Sequence, residues 1–133
     1  MKIEQAPRVI AAIGGISFVG FGIWAFLEPR SFYGSLAEFP PFNKHFVHDI
    51  GAFQIGLGLA LLIALLNADS LFVALAAVGL GQAVHAVAHW IDRDLGGKPS
   101  DPWLMTALAV VLLAGAVMRR RGRGRGHTSF RRH

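Results

Sequence analysis

Four apolar stretches, at about 9–27, 47–66, 70–90 and 103–118, take up most of this 133-residue chain. The first three reach the ~20 residues that a helix needs to cross a bilayer. The fourth is shorter, and the arginines at 119–121 extend it by snorkelling. A soluble bundle would carry a polar stripe along each helix. These stretches have almost none, and charged residues make up only 16% of the chain, nearly all outside them. The expected fold is therefore all-α: an integral membrane four-helix bundle, up-down-up-down, over residues 1–118. A disordered, Arg/Gly-rich basic tail is expected over 119–133.

The first stretch is too long for a signal-peptide core, and no Ala-x-Ala site follows it. Its small residues Ala11, Gly15 and Gly22 share one side and suit close packing. Pro29 ends this helix. The loop from Glu28 to Lys44 is rich in aromatic residues, among them Phe32, Tyr33, Phe39 and Phe42. Two readings of it stand open: a segment lying on the membrane surface, or a lid folded over the bundle mouth.

The second and third stretches read as a helical hairpin, residues 45–91, turned at Asn67-Ala68-Asp69-Ser70. Residues four apart share a helix face. The row His48, Ala52, Gly56, Ala60 then meets the row Ala77, Gly81, His85, His89, so that 48 falls beside 89 and 56 beside 81. This register gathers His45, His48, Asp49, His85, His89 and Asp92 at one end as a candidate metal cluster. Gln82 lies on nearly the same face as His85. Gln54 points away from His48 and is expected to bond to another helix, at Ser17 or Thr106. Gln54 and Gln82 are read as polar packing residues.

Ionisable groups within a membrane are costly, which makes the cluster a functional candidate. Imidazoles with carboxylates suit a transition metal such as Zn, Cu, Fe or Mn. His45/Asp49 and His85/His89 are pairs at the i,i+4 spacing that chelates from one helix face. Haem held between His48 and His89, or a quinone beside a His/Asp pair, are further readings. The plain alternative is structural: histidines hydrogen-bonding across the hairpin. There is no cysteine, so thiolate ligands and disulfides are excluded.

The net charge of +5 is a property of the tail, where seven arginines lie between 119 and 132; without them the chain is slightly acidic. Positive charge marks the cytoplasmic side. Both termini are thus expected in the cytoplasm of a cell-membrane protein, with the His/Asp cluster near the outer face. Trp24, Trp90 and Trp103 fall at the expected outer ends, as an interfacial belt would. The tail reads as a topology signal and a contact for anionic lipid, in preference to nucleic acid. Beyond the bilayer, the expected partners are a membrane redox complex or further copies of the chain.

The run N-K-H-F-V-H-D-I-G, with Asn43, Lys44, His45, His48, Asp49 and Gly51, is followed by H-A-V-A-H-W-I-D at 85–92. With the glycine-rich first helix, it resembles the uncharacterised four-helix membrane proteins of actinobacteria in the broad DoxX-like group, over the first three spans. The resemblance implies a four-helix fold and an accessory, quinone-linked role beside a redox enzyme. It also implies a basic residue at the position of His48, which leaves His45, Asp49, His85 and His89 as the metal candidates.

The chain carries no phosphate loop, dinucleotide fingerprint or nucleophile–base pair. The leading expectation is an accessory or ligand-binding membrane subunit without complete catalytic machinery of its own. The alternative is an outward-facing metal- or haem-binding redox protein.

Overall fold

The computed structural model describes residues 5–67 and 69–128, with side chains to Gly122. Among these residues there is helix and loop and no strand. The helices are α1 (Ala6–Leu27), α2 (Pro29–Leu36), α3 (Lys44–Ala64), α4 (Ser70–Ile91) and α5 (Asp101–Thr128). Four of them hold an apolar segment of 21 or 22 residues. At about 1.5 Å per residue, each reaches across a hydrocarbon core of roughly 30 Å. Their outward surface is lipid-like: Phe53 is 75% exposed, Val84 71% and Ile91 73%. In water so much contiguous apolar surface would drive aggregation, whereas against acyl chains it is neutral. The protein is a multi-pass membrane protein with the all-helical bundle that the apolar stretches predict.

Round the bundle the order is α1, α3, α4, α5, with two tight antiparallel pairs, α1/α3 and α4/α5. The first pair is made by glycine. A Cβ on Gly22 would lie 2.6 Å from the Gly51 carbonyl oxygen, and one on Gly51 would lie 2.8 Å from the Gly22 oxygen. Seven residues along each helix the arrangement repeats: a Cβ on Gly15 would be 3.0 Å from the Gly58 oxygen, and one on Gly58 2.7 Å from the Gly15 oxygen. Two reciprocal backbone contacts thus fix both the separation and the register of α1 and α3. In the second pair, Gly79 admits Leu112 and Leu113 of α5. The pairs are joined by an apolar core that includes Phe18, Leu61, Leu71, Leu75 and Leu112.

This overturns the hairpin register. α3 and α4 touch only lightly. Gly56 and Gly81, expected to face each other, each have open space where a side chain would stand. Ala52, Ala60 and Ala77 of the same two rows are exposed. The turn itself forms as expected, with Asn67 Oδ1 accepting from the Asp69 N–H at 2.9 Å. A tight turn brings two helices side by side, but it does not choose which faces pack. That choice went to the face of α3 with glycines at 51 and 58, which takes α1.

Two further boundaries differ. The 28–44 loop contains α2, started by Pro29 at a position where its missing N–H costs nothing and anchored by buried Phe32. At the other end of the chain, α5 continues past Met118 to Thr128. Of the stretch read as a disordered tail, residues 129–133 lie outside the described residues.

The glycine contacts generate a direct test. Gly22→Ala and Gly58→Ala should each destabilise the protein by about 1–3 kcal/mol, because backbone must move to admit the methyl group. Gly56→Ala and Gly81→Ala should be neutral or stabilising by up to about 1 kcal/mol, since alanine is the better helix former and nothing blocks it. Thermal unfolding in detergent, followed by circular dichroism, distinguishes the two sets.

Candidate functional site

The bundle has two distinct ends. At one, Arg8 of α1 donates through Nη2 to the Leu65 carbonyl at 3.1 Å, covering the C-terminal end of α3, and α5 brings Arg119, Arg120 and Arg121. The other, the loop end, carries α2 and the α4–α5 connection. All three tryptophans lie there. Trp24 Nε1 donates to Ser31 Oγ of α2 at 3.2 Å. Trp90 and Trp103 meet edge to face with ring centroids 4.7 Å apart.

The six candidate ligands are all near the loop end, but the structure divides them. His45 and Asp49 lie 3.6 Å apart on the first turns of α3, with side chains 86% and 52% exposed; an ion pair this open contributes little. His48 stacks on Phe26 of α1, centroids 4.8 Å apart and planes at 18°. Its register follows from the Gly22–Gly51 contact, which presses this part of α3 against α1. Asp92 closes α4, its backbone N–H bonded to the Ala88 carbonyl. His85 and His89 remain together on α4. Among the described residues, no group of three or more His, Asp or Glu side chains converges as a metal site would. Among the described residues the two rings expected to pair have different ring neighbours, Phe26 for His48 and Phe39 and His85 for His89.

What the structure does assemble is a polar row along α4. Gln82, only 5% exposed, donates through Nε2 to Met105 Sδ of α5 at 3.1 Å. The same nitrogen is 3.3 Å from His85 Nδ1. His85 Nε2 lies 3.1 Å from His89 Nε2, with the two rings tilted at 56°. An amide nitrogen only donates. His85 Nδ1 is therefore the acceptor, its proton sits on Nε2, and that proton points at the Nε2 lone pair of His89. Among the described residues neither ring meets a hydroxyl or carboxylate that it would activate.

A clasp closes over this row. Phe39, between α2 and α3, meets the His89 ring with centroids 5.7 Å apart and planes at 75°. Phe39 is held by the Gly96-Gly97 bend. The Gly97 N–H donates to the Glu38 carbonyl at 2.9 Å, and Lys98 Nζ donates to the Ser35 carbonyl at 2.7 Å. Gly97 has φ +74°, a conformation that L side chains avoid. A Cβ on Gly96 would lie 2.5 Å from the Glu38 oxygen. Beneath the bend Asp101, nearly buried, accepts from the Lys98 N–H at 2.7 Å and so ties the connection to the start of α5. Of the six candidate ligands, His89 is the one whose ring the aromatic loop meets.

The sequence reading missed the clasp because its partners, residues 35–39 and 96–98, are some sixty positions apart. The φ-demanding Gly-Gly pair was its one visible signal. Gln54 is also corrected. Its Oε1 is buried with no hydrogen-bond partner. Thr106, which it was expected to meet, accepts instead from Trp90 Nε1 at 3.1 Å and donates to the Pro102 carbonyl.

If the glycine bend holds Phe39 in place, Gly96→Ala and Gly97→Ala should each weaken the clasp by about 1–3 kcal/mol. Both should speed exchange of the amide at position 97 and raise the rate at which diethyl pyrocarbonate modifies His89. Gly34→Ala, in open space on α2, should alter neither rate. Comparison with protein-family models, with curated proteins and with solved structures finds no match for this chain.

Proposed function

We propose that this protein is a small accessory subunit of the cell membrane whose task is to present a ligand site, made by Gln82, His85 and His89 of α4, at the outer membrane face. The observation that carries this reading is the row itself. Two imidazoles hydrogen-bonded nitrogen to nitrogen, with a buried amide beside one of them, form an ordered polar device where an apolar helix face would cost less. An accessory role is also what the DoxX-like resemblance implies.

Charge is what supports the outward orientation. Arg8 and Arg119–Arg121 gather at the end opposite the clasp, and positive charge is retained in the cytoplasm. The tryptophans at the clasp end then lie at the outer headgroup level. His85, six residues before the end of α4, sits about 9 Å below it, within reach of the interface.

The native chain has no cysteine, so single introduced cysteines report topology cleanly. Glu38→Cys and Ser100→Cys should react with a membrane-impermeant maleimide in intact cells. Ser70→Cys should react only after the membrane is opened. The reverse pattern would place the clasp in the cytoplasm and end the reading of an outward-facing site.

A further inference from the structure

The spacing of the two imidazoles bears on what the site holds. A divalent transition-metal ion bound to two imidazole nitrogens at about 2.0–2.1 Å, with an angle near 90–110° between them, requires those nitrogens roughly 2.9–3.4 Å apart. His85 Nε2 and His89 Nε2 are 3.1 Å apart. We infer that His85 and His89 form a two-histidine chelate for a divalent transition-metal ion of the Zn2+ or Cu2+ class, with the remaining coordination positions left to water or to a partner's donors. This rests on the reading of the α4 row as a ligand site, and names the ligand.

Three features support it beyond the distance. The residues are His-Ala-Val-Ala-His, the i,i+4 spacing that sets two histidines on one helix face toward a common ion. The alanines between them leave the face uncrowded. Second, an outer partner stands within reach of one ring. A metal-bound histidine holds its other ring nitrogen as an N–H donor to a fixed acceptor. Gln82 stands at His85 Nδ1, and rotation of its amide by half a turn would present Oε1 as that acceptor. The proton on His85 Nε2 then moves to Nδ1, both Nε2 lone pairs face the ion, and the neutral pair takes up the metal with no net release of protons. Third, Phe39 packs at a steep angle against the His89 ring and restricts its rotation, while His85 remains exposed. The site is thus braced on one side and open on the other.

The His45–Asp49 pair carries no comparable argument. Its side chains are largely exposed, and no described neighbour holds the ring.

The test is Zn2+ titration of the full-length protein in detergent micelles, by calorimetry, in a background with His127→Gln and His133→Gln to remove the histidines of the C-terminal segment. About one equivalent should bind. His85→Gln and His89→Gln should each weaken binding by at least about tenfold, Gln82→Leu by a smaller factor, and His45→Gln and His48→Gln by less than about twofold. Because a substitution on α4 can disturb folding, the background protein is also followed by nitrogen-15 NMR of its histidines, where Zn2+ should shift the Nε2 signals of two of its four rings. Absence of Zn2+ binding by the background protein, or binding unchanged in His85→Gln and His89→Gln, would leave the row a hydrogen bond between rings and overturn the chelate. The outcomes separate from those of the maleimide experiment. An outward clasp without Zn2+ binding retains the orientation and loses the chelate, and Zn2+ binding with an inward clasp does the reverse.

Discussion

Everything in this bundle is positioned by the approach of two helix backbones with no side chain between them. Gly22 with Gly51, and Gly15 with Gly58, bring carbonyl oxygens of α1 and α3 to where a Cβ would otherwise stand. In lipid there is no hydrophobic force to press helices together. Association depends on close packing and on weak Cα–H···O contacts, which small residues make available. The seven-residue repeat on both helices places two such contacts on one seam, and two points define an axis and a register where one would leave rotation free.

Once α3 is held in that way, the rest of its surface is assigned. His48 is carried onto Phe26, and the row of Gly56 and its alanines is turned outward. α4 then finds its close partner in α5, where Gly79 receives Leu112 and Leu113. At the loop end, where the pairs would otherwise be joined only through the core and the light α3/α4 contact, the clasp spans them: Phe39, Glu38 and Ser35, tethered to α1 and α3, grip the Gly96–Lys98 bend that belongs to α4 and α5. The polar row lies just beneath that grip, with His89 against Phe39.

The bundle interior is apolar from the arginine end to mid-depth, and a second, smaller apolar cluster of Ala25, Phe32 and Val47 closes the loop end of α1 and α3. Gln54 and Gln82 fall between. Counted from the α3–α4 turn at about 1.5 Å per residue, they lie roughly 15 and 18 Å along their helices. One engages Met105 and His85 through its amide nitrogen, and the other keeps a buried oxygen without a partner among the described residues. An unsatisfied acceptor at that depth costs on the order of 1–3 kcal/mol, which identifies Gln54 as the least satisfied position in the bundle's polar layer.

Length and hydropathy alone determined the four spans, because a bilayer demands ~20 apolar residues whatever their order. Spacing determined that Gly15 and Gly22 form a packing face, and that His85 and His89 share one side of a helix, since both are properties of a single helix. The Asn67 turn and the Gly96-Gly97 break were legible for the same reason: their chemistry is local. Which helix would meet that glycine face was a different kind of question. Gly51/Gly58 and Gly56/Ala60 are both small-residue rows on α3, and the string of letters gives them equal standing. Only the assembled bundle decided between them, because the fit of one backbone against another depends on the carbonyls of both helices and on the side chains that flank them. That decision separated His48 from His89, dissolved the six-residue cluster, and left the α4 pair under a clasp whose two halves meet only after the chain has folded.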